Sequence, residues 1–166
     1  MPPNWNTDNI SGLVSIGTHS LFLSASGPPR TSSSSPAVII EAGGGSNQIP
    51  YPALQRLLTP FSRVYTYDRS GFGLSQSSPL IRNASSMASE LASLLDSASI
   101  PGPYILIAHS YGGIISREIL ALRDRDVKGM VPINTMKRIG PLTRDFFHLK
   151  LFINILREWI MSPPRG

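Results

Sequence analysis

The chain has 166 residues, of which 41% are hydrophobic and 15% are charged, and it contains no cysteine. A hydrophobic share of this size can bury a core, whereas disordered chains are poor in apolar residues. The lack of cysteine excludes disulfides, a thiolate nucleophile and thiolate metal ligands. The composition therefore indicates about one globular domain.

Neither a targeting signal nor a membrane span is visible in the sequence. The first twenty residues contain no basic stretch followed by a long apolar run, which argues against a cleaved secretory signal. No window reaches about 18 uninterrupted apolar residues, which argues against a membrane span. We therefore expect a cytoplasmic protein.

The whole net charge of +5 lies in the last fifty residues, which carry ten basic and five acidic side chains. A basic tail can indicate binding to nucleic acid or to an anionic membrane. Here the basic residues alternate with acidic ones and form no run longer than two. An ordinary solvated surface is the favoured interpretation, and we expect no nucleic-acid partner.

Apolar and β-branched runs predict strands, and apolar residues at helical spacing predict helices. After an N-terminal hairpin, strands and helices alternate, which specifies a parallel sheet with crossover helices. The predicted fold class is therefore α/β. The predicted elements are strands at Leu13–Ile16, Ser20–Ser24, Ala37–Glu41, Val64–Tyr67, Tyr104–Ala108 and Val127–Asn134, and helices at Tyr51–Leu58, Asn83–Ser97 and Ile114–Leu122.

The segment YILIAHSYGG passes from a buried-looking strand into a helix and carries Ser110 at the junction. A serine hydroxyl is a weak nucleophile unless a base removes its proton. Small residues two before and two after the serine, here Ala108 and Gly112, allow a sharp turn that exposes Oγ above the sheet. Without this context a serine before a helix is more often an N-cap. The strand, the helix and the small residues together favour a nucleophile.

Here the sequence resembles the α/β-hydrolase superfamily, over about Ile10 to Asn134. Two further motifs carry the resemblance. The run AVIIEAGGGS, residues 37–46, is similar to the strand and oxyanion loop of these enzymes, and DRSGFGLS, residues 68–75, is similar to their D-x-x-G-x-G-x-S turn. The three motifs occur in the order and at about the spacing of the family, so together they weigh more than any one.

The resemblance implies a mostly parallel, partial α/β-hydrolase fold that carries a serine nucleophile. It assigns Ser110 as the nucleophile and the backbone N–H groups of Gly44 and Tyr111 as the oxyanion hole of an acyl transfer. The sharp turn that carries the nucleophile, called the nucleophile elbow, usually begins with Gly in this family, where this chain has Ala108. No metal and no organic cofactor is implied.

Structural roles are the favoured interpretation for several residues near these motifs. Asp68 belongs to a motif that shapes a loop, and Glu41 ends a buried-looking strand, where a hydrogen-bonded structural carboxylate is expected. His109 adjoins the serine, but we expect its ring to point away from Oγ and to pack. Residues 43–45 could also form only a flexible turn.

A hydrolase of this type also needs an acid and then a histidine after the nucleophile. The only histidine after Ser110 is His148, in an apolar stretch that looks like a lid helix. The acids that precede it are Asp124, Asp126 and Asp145, so the order of the family is met formally. The resemblance therefore implies the N-terminal half to two thirds of a hydrolase, truncated before its catalytic acid and histidine. We expect weak activity or none from such a chain.

The stretch from Leu142 to Met161 is apolar on nearly every helical face, and such a helix needs cover. We expect a core at residues 1–135 and the start of a lid or cap region at 136–166. A missing C-terminal segment or a partner would cover the helix. A weaker alternative makes this helix an amphipathic membrane anchor.

The favoured function is acyl transfer from a small-molecule ester, thioester or amide to water. A serine at the elbow argues against the epoxide- and haloalkane-hydrolysing relatives, which place an aspartate there. The alternative is a non-catalytic α/β-hydrolase-like protein that binds a ligand or a protein partner.

Overall fold

The computed structural model describes residues 3–45 and 51–133, which form six strands and three helices. The predicted lid helix at Leu142–Met161, the boundary at residue 135 and His148 lie outside these residues. The elements are β1 (Ile10–Ser15), β2 (Ser20–Ser26), β3 (Ala37–Glu41), α1 (Pro52–Leu58), β4 (Val64–Tyr67), α2 (Ala84–Ser97), β5 (Tyr104–His109), α3 (Gly112–Leu122) and β6 (Val127–Ile133).

The strands form one sheet in the order β1-β2-β4-β3-β5-β6. The hairpin strand β2 pairs antiparallel with β1 and with β4, and all later pairings are parallel. The mostly parallel α/β fold with an N-terminal hairpin is therefore confirmed.

Strands β3 and β5 lie at the centre of the sheet, and both of its faces are covered. Ala37 and Ile39 of β3 pack into the core on the side of α2 and α3. Val38 and Ile40 pack into a second core on the side of α1. Because β3 is covered on both faces it has no polar side, which explains its unbroken apolar run.

Local structure explains one shifted helix boundary and the proline within β6. Helix α2 begins at Ala84 because Asn83 is its N-cap, whose side chain accepts a hydrogen bond of 2.8 Å from the Ser86 N–H. Strand β6 contains Pro132 and still pairs with β5. Within the described residues β6 is an edge strand, where a proline need not donate to a neighbour.

The helices α1, α2 and α3 are 7, 14 and 11 residues long. In residues 3–45 and 51–133 none of the helices is both long and apolar enough to cross a bilayer.

Candidate active site

Parallel pairing of β3 with β5 brings the two loops of the candidate site together. Glu41 at the end of β3 lies opposite Ala108 near the end of β5. A Cβ built on Gly43 would lie 3.6 Å from the Cβ of Ser110, and one built on Gly44 would lie 3.4 Å from the Cβ of Tyr111. The glycine loop after β3 therefore contacts the turn after β5, at the sheet edge where α/β proteins bind ligands.

Ser110 occupies the turn between β5 and α3 in a left-handed backbone conformation, with φ of 50°. Its N–H donates to the Ile133 carbonyl at 3.1 Å, and its carbonyl accepts from the Gly113 N–H at 3.1 Å. These bonds hold a conformation that is costly for a residue with a side chain. The residue is partly exposed.

The same φ occurs at Ser99, where it has an ordinary explanation. Ser99 has φ of 52° and directly follows the C-terminal turn of α2. A left-handed residue commonly ends a helix in this way. The backbone of Ser110 is therefore informative because of its place between a central strand and a helix, not because of φ alone.

Gly112 makes the close approach on which the turn depends. A Cβ at this position would lie 2.5 Å from the Ala42 carbonyl oxygen and 2.6 Å from the Glu41 carbonyl oxygen. Both are backbone atoms, so no side chain can move aside, and only glycine lets α3 begin against the end of β3. Ala108, where the family usually has Gly, is fully buried, and its methyl group is accommodated there.

Two backbone N–H groups, those of Gly44 and Tyr111, belong to the two loops that meet beside Ser110. Tyr111 is the N-cap of α3, where N–H groups have no partner within the helix. Among residues 3–45 and 51–133, no acceptor takes a hydrogen bond from the N–H of Tyr111 or of Gly44. These two amides can donate to a ligand at this edge.

A buried ion pair lies beside the glycine loop. The Arg69 guanidinium contacts the Glu41 carboxylate at 2.9 Å, and Tyr67 donates a hydrogen bond of 2.6 Å to the same carboxylate. Arg69 also donates to the carbonyl of Ala42 at 2.7 Å and to the carbonyl of Gly43. The expected structural carboxylate at Glu41 is thus part of a network that fixes the loop.

The bond to Gly43 also sets the direction of the next amide. In a trans peptide the C=O and N–H groups point to opposite sides. Because Arg69 binds the Gly43 carbonyl, the Gly44 N–H points away from Arg69. Through this bond the Arg69–Glu41 ion pair orients the Gly44 N–H, one of the two donors that the sequence resemblance assigned.

Burial changes the acidity of this network. It raises the pKa of Glu41, and the nearby Arg69 and the hydrogen bond from Tyr67 only partly oppose that rise. Burial and the neighbouring Glu41 also hold the pKa of Tyr67 well above its usual range. The Tyr67 hydroxyl therefore keeps its proton and remains a donor to the carboxylate.

Asp68 has the loop-shaping role that its motif suggested. Its carboxylate accepts a hydrogen bond of 3.0 Å from the Leu74 N–H, and its carbonyl accepts one from the Ser75 hydroxyl. Ser75 in turn accepts from the Phe22 N–H at 2.7 Å, which ties the turn to β2. Asp68 thus holds its own turn together.

His109 packs beside the glycine loop and has a polar partner that the sequence did not indicate. Its Nδ1 lies 2.9 Å from the Tyr51 hydroxyl, and a Cβ on Gly43 would meet the same nitrogen at 2.7 Å. Sequence reasoning placed Tyr51 only at the start of a helix. No motif marks it, because His109 is 58 positions away along the chain.

Known proteins resemble this chain in sequence and in fold. The sequence profile described as "Alpha/beta hydrolase family" matches residues 38–165. The chain belongs to the alpha/beta hydrolase family. An "AB hydrolase superfamily protein" of Gibberella zeae is 42% identical over 134 residues, which are 76% of this chain and 42% of that protein.

Solved structures of hydrolases share the fold. A thermophilic esterase from Thermogutta terrifontis matches with a TM-score of 0.66 at 21% identity, over 80% of this chain and 48% of its own. The haloalkane dehalogenase DatA of Agrobacterium tumefaciens matches with a TM-score of 0.65 at 13% identity, over 81% of this chain and 44% of its own. At these identities the likeness shows the fold alone. The chain spans less than half the length of each of these three relatives.

The close approach at Gly112 predicts that Gly112→Ala lowers the free energy of unfolding by about 1–3 kcal/mol, as overpacking does. Gly12→Ala is the matched control, since nothing lies within 4 Å of a Cβ built there. It should change stability by no more than about 0.5 kcal/mol. Urea unfolding measures both, and equal losses in the two variants would contradict the contact.

The raised pKa of Glu41 predicts a pH dependence of stability. At pH values above 4.5, the ordinary pKa of a glutamate, the folded chain holds the Glu41 proton more tightly than the unfolded chain does. The contribution of Glu41 to the free energy of unfolding therefore falls as pH rises. Glu41→Gln removes that contribution, and the stability of the variant relative to the unchanged chain should therefore increase with pH. Urea unfolding at several pH values measures the difference, with Glu118→Gln as the control for losing one negative charge. A constant or decreasing difference would contradict the prediction.

Proposed function

We propose that Ser110 is the nucleophile of a serine hydrolase and that the Gly44 and Tyr111 N–H groups are its oxyanion hole. The reaction is acyl transfer to water from a small-molecule ester, thioester or amide. The observation that carries the proposal is the contact of the glycine loop with the elbow, where a Cβ on Gly44 would lie 3.4 Å from the Cβ of Tyr111. Two donors at one point fit an oxygen that becomes negative in the transition state.

Each part of the site has a role in this reaction. The Ser110 oxygen attacks the acyl carbon, and the carbonyl oxygen takes up negative charge between the two amides. Collapse of that intermediate expels the alcohol, thiol or amine and leaves an acyl group on Ser110. Water then attacks the acyl carbon in the same way and releases the acid.

The proton of Ser110 needs a base, and within residues 3–45 and 51–133 neither His19 nor His109 forms a hydrogen bond with the serine hydroxyl. The ring of His109 is bonded to Tyr51, and His19 is buried 3.5 Å from Glu90. We propose that the catalytic histidine and acid belong to a part of the hydrolase beyond residues 3–45 and 51–133. An oxyanion hole and substrate binding without them give on the order of 10³ to 10⁴ over water.

The same lack of a base among the described histidines favours one alternative. A hydrolase fold that has lost its base would bind a small molecule or a partner at this edge without turning it over. The proposed chemistry needs no metal and no organic cofactor, and a cytoplasmic location stays a prediction.

A fluorophosphonate probe tests the proposal, because it reacts with activated serines and its phosphonyl oxygen mimics the oxyanion. Prolonged incubation at alkaline pH should give one adduct, which mass spectrometry should place on Ser110. Ser110→Ala should abolish it. Ser99→Ala is the matched control, since Ser99 is exposed and has nearly the same φ, 52° against 50°.

Two results would contradict the assignment of the nucleophile. One is an adduct that persists in Ser110→Ala, and the other is a chain that forms no adduct at all. Binding of an acyl compound without any adduct would favour the non-catalytic alternative.

A further inference from the structure

We infer that Tyr51 is a positioning residue whose hydroxyl couples the glycine loop to the nucleophile elbow and thereby orients the Gly44 N–H. This inference rests on the proposed function of Ser110 and Gly44. It concerns a residue that lies in none of the three sequence motifs.

The Tyr51 hydroxyl bridges the two loops of the site. It accepts a hydrogen bond of 2.9 Å from the Gly43 N–H and lies 2.9 Å from Nδ1 of His109. The rings of Tyr51 and His109 meet edge to face, with centroids 5.9 Å apart. Because Tyr51 is only 9% exposed, water competes little for these bonds.

The Gly43 N–H can only donate, which fixes the direction of the bond to Tyr51. The Tyr51 hydroxyl has one proton to donate. We assign that proton to the bond with Nδ1 of His109, an arrangement in which a ring proton lies on Nε2. The order of donation is Gly43 N–H to Tyr51 and then Tyr51 O–H to His109, the residue directly before Ser110.

The bridge and the ion pair together fix Gly43 from both sides. Tyr51 binds its N–H, and Arg69 binds its carbonyl. Glycine has more backbone freedom than any other residue, so both peptide planes need an external anchor. With both anchors in place the Gly44 N–H has one direction, away from Arg69.

The space beside Gly43 is occupied by the ring of His109. A Cβ on Gly43 would approach Nδ1 of His109 to 2.7 Å, so a larger residue there would displace the histidine ring from its place beside Tyr51. The glycine-rich sequence gives the loop backbone freedom, and the hydrogen bonds with Tyr51 and Arg69 restrict that freedom. Removing one hydroxyl restores part of that flexibility without opening a cavity.

Tyr51→Phe tests the inference, with Tyr104→Phe as the matched control. Tyr104 is also buried and donates its hydroxyl to one acceptor, the Ile100 carbonyl at 2.7 Å, near the opposite end of β5. The first readout is the rate of fluorophosphonate labelling of Ser110. Tyr51→Phe should slow it about ten- to a hundredfold, because a displaced donor stabilises the developing charge poorly.

The second readout is amide hydrogen exchange by NMR, which does not depend on activity. Tyr51→Phe should speed exchange at Gly43 at least tenfold, and Tyr104→Phe should leave it unchanged. His109→Asn, whose side-chain oxygen can take the place of Nδ1, should retain more of the labelling rate than His109→Leu.

The two readouts separate the inference from the proposed function. Labelling of Tyr51→Phe at the rate of the Tyr104→Phe control would overturn the inference, and so would unchanged exchange at Gly43. If no chain is labelled at Ser110, the proposed function fails. Exchange at Gly43 then decides whether Tyr51 orders the loop.

Discussion

The parallel register of β3 and β5 is the constraint on which the candidate site depends. With Glu41 opposite Ala108, both strands end at one edge, and the loops that follow them meet there. Gly112 makes the meeting possible, since its missing side chain lets α3 start against the carbonyl groups at the end of β3. A shift of one residue in this register would separate the glycine loop from Ser110.

Buried polar contacts fix the backbone of the glycine loop where it meets the turn at Ser110. Arg69 and Glu41 form an ion pair almost out of contact with solvent, with side chains 3% and 1% exposed. Buried ion pairs contribute little net stability on average, because desolvation offsets the attraction. Here the pair has a second use, since Arg69 binds two loop carbonyls while Tyr51 binds the Gly43 N–H. Donors fixed in this way need no reorganisation when charge develops.

The sequence predicted the parts of the site whose signals are local. The unbroken apolar run of β3 and the small residues around Ser110 indicated a covered strand and a sharp turn, and the α/β-hydrolase fold is confirmed. The bridge from Tyr51 to His109 joins residues 58 positions apart, and no local pattern marks such a contact. The network around Glu41 was foreseen only as a hydrogen-bonded carboxylate, because its partner Arg69 is 28 positions away.

In the proposed oxyanion hole the Gly44 and Tyr111 amides converge on the carbonyl oxygen of the acyl group that Ser110 attacks. A crystal structure of the chain after reaction with a fluorophosphonate tests this arrangement most directly. We expect a phosphonyl oxygen about 2.7–3.1 Å from both amide nitrogens. An adduct whose oxygen contacts neither amide, or only one of them with the glycine loop displaced, would contradict it.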